Sequence, residues 1–160
     1  MSEQAPTPPA RQVLLQRIYL KDASVEVPQA PQVFTRQWTP QVDVQVGTAA
    51  MPLGGSAHQV MLSITVTAKL GEEVAFLVEI HQGGIFDISG FAEAEIQAVV
   101  AGYCPGVIFP FAREAVADLI QRSGFPPILL QPINFEALYV EHLARSREQN
   151  AAAAAPSTVQ

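Results

Sequence analysis

The chain has 160 residues, 49% of them hydrophobic and 8% aromatic, which suits one domain with a real core rather than a disordered polymer. Its net charge of −6, with nine basic residues scattered and never in a run, argues against nucleic acid and favours docking to a basic protein. A single cysteine, Cys104, excludes an intramolecular disulfide and a CxxC metal or redox pair, and fits a reducing cytoplasm.

The opening residues, MSEQAPTPPARQ, lack the charged and apolar regions of a signal peptide. No apolar run approaches the ~18 residues of a membrane span, so a cytoplasmic protein with no direct membrane insertion is expected. Residues 1–11 are Pro- and Thr-rich and are expected to be disordered, as is the Ala-rich tail 148–160. Residues 12–147 form the expected domain, without internal repeats.

The first strand spans Val13 to Val27. Leu14, Ile18 and Leu20 share a face with Asp22 and Glu26, and Val13, Leu15, Tyr19 and Val25 share the other with Arg17 and Lys21. The alternation is imperfect, which predicts a bulge. Next, PQAPQVFTRQWTP holds three prolines (Pro28, Pro31 and Pro40) and reads as a long irregular connection carrying Phe34 and Trp38.

The second strand places Val42, Val44 and Val46 inward and Gln41, Asp43 and Gln45 outward. MPLGGSAH is a turn region around Gly54 and Gly55. The third strand has Val60, Leu62, Ile64, Val66 and Ala68 on one face and Met61, Ser63, Thr65 and Thr67 on the other. After a tight turn at Gly71, the fourth strand points Val74, Phe76, Val78 and Ile80 inward and Glu73, Ala75, Leu77, Glu79 and His81 outward. Gly83-Gly84 then reads as an exit from the sheet. The fold class is therefore α+β: a four-stranded antiparallel sheet whose apolar face needs helices to cover it.

Ile96, Val99, Val100 and Tyr103 recur at helical spacing, and Pro105 is expected to end that helix. Pro110 is expected to open a second helix, with Ala112, Ala115, Val116, Leu119 and Ile120 as its stripe and Gly124 as its C-terminal cap. GFPPILLQPI is irregular. A last helix starts at Asn134 as N-cap, with Ile133 and Leu138 placed as a hydrophobic staple and Phe135, Leu138, Tyr139 and Leu143 as its apolar face.

No catalytic or metal constellation is present. Cys104, in AGYCPGVIF, reads as a buried inert thiol. His81 has no partner ligands at metal spacing. Gly83-Gly84 lacks the context of a phosphate-binding loop, and Glu72-Glu73 solvates a turn. Aromatic and apolar residues in irregular segments do stand out: Phe34, Trp38, Phe125 and the ILL of 128–130. They must pack on the core, on another subunit or on a ligand. Leu77 among carboxylates on an outer strand face is likewise a candidate docking surface.

Five segments, in order, resemble the SecB family of protein-export chaperones. They are IYLKDASVEVPQAP (18–31), VFTRQW (33–38), TVTAKLGEEVAFLVEIHQGGIF (65–86), AGYCPGVIFPFARE (101–114) and PINFEALY (132–139). Together they cover about residues 12–145. The resemblance implies a homotetramer, a dimer of dimers, whose subunits carry helices on one face of the sheet. It implies a cytoplasmic chaperone that holds unfolded preproteins and delivers them to the motor ATPase SecA, with no cofactor and no catalysis. By the same resemblance, Phe34, Trp38, Phe76, Tyr103, Phe109, Phe111, Tyr139 and Leu143 are candidates for client contact. Asp22, Glu26, Leu77 and Glu79 are candidates for the SecA-facing surface, and Val78, Ile80 and the helix 109–122 for subunit contacts. The five-alanine tail departs from the acidic, polar tails of the family, which puts a tail contact with SecA in doubt. Two other readings remain: a SecB-like chaperone dedicated to an antitoxin or another single client, and a small-molecule enzyme or carrier using an apolar cavity.

Overall fold

A computed structural model of the chain describes residues 7–154. Residues 1–6 and 155–160, parts of the two ends expected to be disordered, lie outside the described residues. Strands β1 (Gln12–Glu26), β2 (Gln41–Gly54), β3 (Ala57–Leu70) and β4 (Glu73–Ser89) build one antiparallel sheet in the order β1-β4-β3-β2. The α+β class and the four antiparallel strands agree with the sequence reading. Strands β2, β3 and β4 are joined by short turns, and β1 returns beside β4 through the long connection 27–40, a Greek-key arrangement.

Alternation in the two central strands makes the core. Val60, Leu62, Ile64, Val66 and Ala68 of β3 and Phe76, Val78 and Ile80 of β4 have no exposed area. The predicted irregularity in β1 is two register shifts against β4, which skip Gln16 and Lys21. Each shift moves the following side chains to the opposite face. Val25, Leu20, Ile18, Leu15 and Val13 therefore all share the inner face, whereas simple counting by twos separates them.

Gly83-Gly84 does not release the chain from the sheet. Both glycines lie inside β4, paired to Tyr19 and Ile18 on one side and to Met61 and Val60 on the other. They serve close packing. A Cβ on Gly83 would lie 2.3 Å from the Tyr19 ring, and one on Gly84 would lie 2.8 Å from the Phe86 ring and 3.1 Å from Ile108. The strand interior thus needs glycine where rings lie directly on the backbone.

The helical layer also differs from the expected two separate helices. Helix α1 (Glu93–Ala98) runs through a π turn (Val99–Tyr103) into α2 (Cys104–Arg122). The Cys104 N–H donates to the Val99 carbonyl, five residues back, just before Pro105. Pro105 sits in the first turn of α2, where its missing N–H costs little, and Pro110 is carried inside the helix. This continuous helix, Glu93–Arg122, is long and apolar enough by composition to cross a bilayer, contrary to the reading that no such segment exists. One such helix is also what a core helix looks like, and this one lies against β3 and β4 with Ala112, Val116 and Ile120 fully buried.

Gly124 (φ +91°) caps α2 as expected, with the Phe125 N–H returning to the Ile120 carbonyl at 3.3 Å. Helix α3 (Phe135–Ala153) starts at the predicted cap, the Asn134 side chain accepting from the Ala137 N–H at 3.0 Å. It extends to Ala153, into the tail expected to be disordered, because alanine has the highest helix propensity. Only Phe135 of α3 is buried, and the helix packs chiefly on the π turn.

Candidate functional site

The four residues assigned to the SecA-facing surface come together. Directly paired residues in antiparallel strands share a face, with side chains about 5 Å apart. Glu26 pairs with Leu77, Ser24 with Glu79 and Asp22 with His81. Asp43 joins the same face through Thr67, which pairs with both Asp43 and Leu77. One end of the outer sheet face is therefore acidic, with Leu77 half-buried in its middle. The His81 ring lies 3.1 Å from the Ser63 hydroxyl, a neighbour on β3. Beyond Gly83 the same face is mixed, with Tyr19, Met61, Ile85 and Leu14 beside Arg17, Gln59 and Asp87. Among the described residues no group of His, Cys, Asp and Glu could hold a metal ion.

The crossover connection builds an aromatic corner. A 3-10 turn (Gln32–Thr35) sinks Val33 into the core and leaves Phe34 49% exposed. Phe34 packs on Phe125 at a ring-centroid distance of 5.1 Å, Trp38 on Phe125 at 4.9 Å, and Phe125 on Phe76 at 5.1 Å. Trp38 also stacks near Phe76 at 6.3 Å. Such offset and tilted pairs are the favourable arrangements for aromatic quadrupoles. Gly124 serves this corner as well, since a Cβ there would lie 3.0 Å from the Phe34 ring.

The eight candidate client residues separate by burial. Phe76 has no exposed area and Phe109 only 5%, its ring edge-on to Phe135 at 5.8 Å. These two belong to the core and are not available for client contact in this fold. Val78 and Ile80 are likewise fully buried, so they cannot form the subunit interface assigned to them. The resemblance named them for subunit contact; their inward parity places them under α2 instead. Phe34, Tyr103 and Phe111 stay about half exposed, and Trp38, Tyr139 and Leu143 are half-buried.

Tyr103 and Tyr139 meet in a groove with Val99 and Val140, about 260 Å³ in volume. Tyr103 also borders a larger groove of about 580 Å³ between Gly106, Val107 and the Pro132–Phe135 segment. No aromatic contact among the described residues joins this group to the crossover corner. The site is thus two apolar surfaces rather than one.

Three features go beyond the sequence reading. Phe125, singled out there only as an aromatic residue in an irregular segment, is the hub of the aromatic corner. The ion pair between Arg36 and Glu73, at 2.5 Å, links residues far apart in sequence and has no local signature. The inner-face valines of β2 are the third: Val42, Val44 and Val46 are each about 40% exposed because the helices cover β3 and β4 and leave this edge open.

Cys104 is a buried thiol, as expected. Burial pushes it from its ordinary 9.0 up to about 12. The nucleophilic thiolate is therefore scarce in the native state, which removes the most reactive side chain from any catalytic scheme. The folded chain at pH 8 is expected to resist an aromatic disulfide reagent and to react fully once denaturant is added. Rapid native-state labelling would show that Cys104 is accessible. Because the folded value lies above the unfolded one, this group stabilises the fold below pH 9 and loses that contribution as pH rises toward 12.

Residues 5–146 match the family described as SecB, preprotein translocase subunit SecB. The chain belongs to the SecB family. Two relatives named protein-export protein SecB illustrate the similarity. The protein from Methylococcus capsulatus is 48% identical over 88% of this chain and 91% of its own length. That from Halorhodospira halophila is 49% identical over 88% of this chain and 81% of its own. Among solved structures, a SecB-like chaperone of Mycobacterium tuberculosis, solved with a peptide from an antitoxin, aligns with a TM-score of 0.59. It covers 76% of this chain and 90% of its own at 22% identity, which speaks for the shared SecB fold. These relatives are named for protein export, and the family expected from the five sequence segments is the family found.

Proposed function

We propose that this SecB-family export chaperone works in the cytoplasm as a dimer of dimers, holding unfolded preproteins on apolar surfaces and presenting them to SecA through the acidic end of its sheet. The observation that carries the holding role is apolar area left open on an otherwise complete core. Phe34, Tyr103 and Phe111 stand about half exposed beside central strands whose inner side chains are fully packed. A chaperone that takes many sequences needs apolar and aromatic area on adaptable segments rather than a tailored pocket. The irregular crossover and the loosely attached α3 supply both.

Assembly is supported by the two edge strands. On the inner face, Leu15, Leu20 and Val25 of β1 and Val42, Val44 and Val46 of β2 are all at least 37% exposed in the single chain. Open apolar edge strands of this kind are normally covered. The acidic end of the outer face supports docking of a basic surface, since clustered charge steers an oppositely charged partner.

Native mass measurement tests the reading. A tetramer that takes up a chemically unfolded preprotein and releases it on refolding is expected. A monomer that ignores the unfolded chain would overturn it.

A further inference from the structure

We infer that the Arg36–Glu73 ion pair is a positioning device for the client surface, holding the Trp38 segment in place and making client affinity depend on salt. The inference rests on the reading of Phe34 and Trp38 as client contacts and goes beyond it by naming what fixes them.

Arg36 lies midway between the two aromatic residues of the crossover. Upstream of it the chain is well anchored. Val33 is buried, the Val33 N–H donates to the Gln29 carbonyl at 2.8 Å, and the Arg36 N–H closes the turn on the Val33 carbonyl at 3.3 Å. Downstream, among the described residues, no backbone hydrogen bond anchors residues 37–40 outside the strands. Two tethers hold that stretch. One is the Trp38 ring on Phe125 and Phe76. The other is the Arg36 guanidinium on the Glu73 carboxylate.

Both tethers reach the same place. Glu73 is the first residue of β4, and Phe76 lies just beyond it, past the register shift that skips Ala75. A client that engages the Trp38 ring competes for the aromatic tether and leaves the ionic one. The pair is partly exposed, with 43% of the Arg36 side chain and 55% of the Glu73 side chain open to solvent. Such a pair contributes little to global stability and is screened by salt. It can still decide where a short, otherwise unbonded segment rests, because little else competes for that role.

Arg36→Gln, Glu73→Gln, the charge swap Arg36→Glu/Glu73→Arg and the reference variant Trp38→Ala separate the possibilities. The probe is reduced, carboxymethylated lactalbumin, which cannot refold. Affinity is measured at low salt and in ~1 M salt, where the Debye length falls to about 3 Å. Each single variant is expected to lose roughly two- to fivefold in affinity at low salt, to match the parent at high salt and to keep its melting temperature. The swap is expected to recover most of the loss. If Trp38→Ala weakens capture while the Arg36 and Glu73 variants equal the parent at both salts, the positioning role is wrong and the client surface stands. If the single variants weaken capture and the swap does not recover it, Arg36 acts on the client directly and the pair is not the device. If Trp38→Ala also leaves capture unchanged, the client surface itself lies elsewhere and the inference falls with it.

Discussion

The double variant Glu26→Lys/Glu79→Lys will weaken binding to SecA by roughly tenfold or more in about 50 mM salt, through loss of steering and direct repulsion. Glu26 and Glu79 lie on adjacent strands and one face, Glu26 opposite Leu77 and Glu79 opposite Ser24. Each reversal shifts the net charge by two units at an end that also holds Asp22 and Asp43 on the same face. Both glutamates are exposed and neither forms an ion pair among the described residues, so folding will change little. The same variant should capture an unfolded client as the parent does, because the client surfaces belong to other elements. Surface binding or calorimetry across a salt series makes the measurement. Equal affinity for parent and variant at low salt would place the docking surface elsewhere.

The second large effect separates core from surface among the aromatic candidates. Phe76→Ala should cost about 3–5 kcal/mol, the range for truncating a buried aromatic, out of a total stability of ~5–15 kcal/mol. Phe76 has no exposed area and touches both Trp38 and Phe125, so its removal empties the corner from below. Phe34→Ala, at a ring that is half exposed, should cost only about 1 kcal/mol and yet reduce protection of an unfolded client from aggregation. Denaturant unfolding gives the first pair of numbers and light scattering of an aggregating client the second. A Phe76→Ala chain of near-parent stability would contradict the core assignment. Full protection by Phe34→Ala would remove the crossover corner from the client surface.

Both expectations use parts of the sequence that were legible and parts that were not. The acidic outer face follows from parity alone, since Leu77 and Glu79 are two residues apart on a regular strand. Joining Asp22 and Glu26 to them required the register of β1 against β4. The shift that skips Lys21 sets which of the β1 side chains share that face. Phe76, Val78 and Ile80 were read as inward positions of a regular strand, whereas Phe109, expected just before a second helix, lies inside α2. Periodicity marks the face a residue is on, but not what lies against that face.

The sequence by itself determined the local order. It marked the alternating β3 and β4, the irregularity of β1, the Asn134 and Gly124 caps, the buried Cys104 and the five family segments. These depend on neighbours within a few residues, and local backbone geometry encodes them directly. Only the tertiary structure decided the strand order β1-β4-β3-β2 and the persistence of β4 through Gly83-Gly84. It also decided the unbroken passage of the helix through Pro105 and Pro110, the burial of Val78 and Ile80, and the open valines of β2. Each of these depends on what long-range chain packs against a segment. The rings of Tyr19 and Phe86 make glycine useful inside a strand, a π turn lets a proline follow helix, and one long helix can cover two central strands but not the edge.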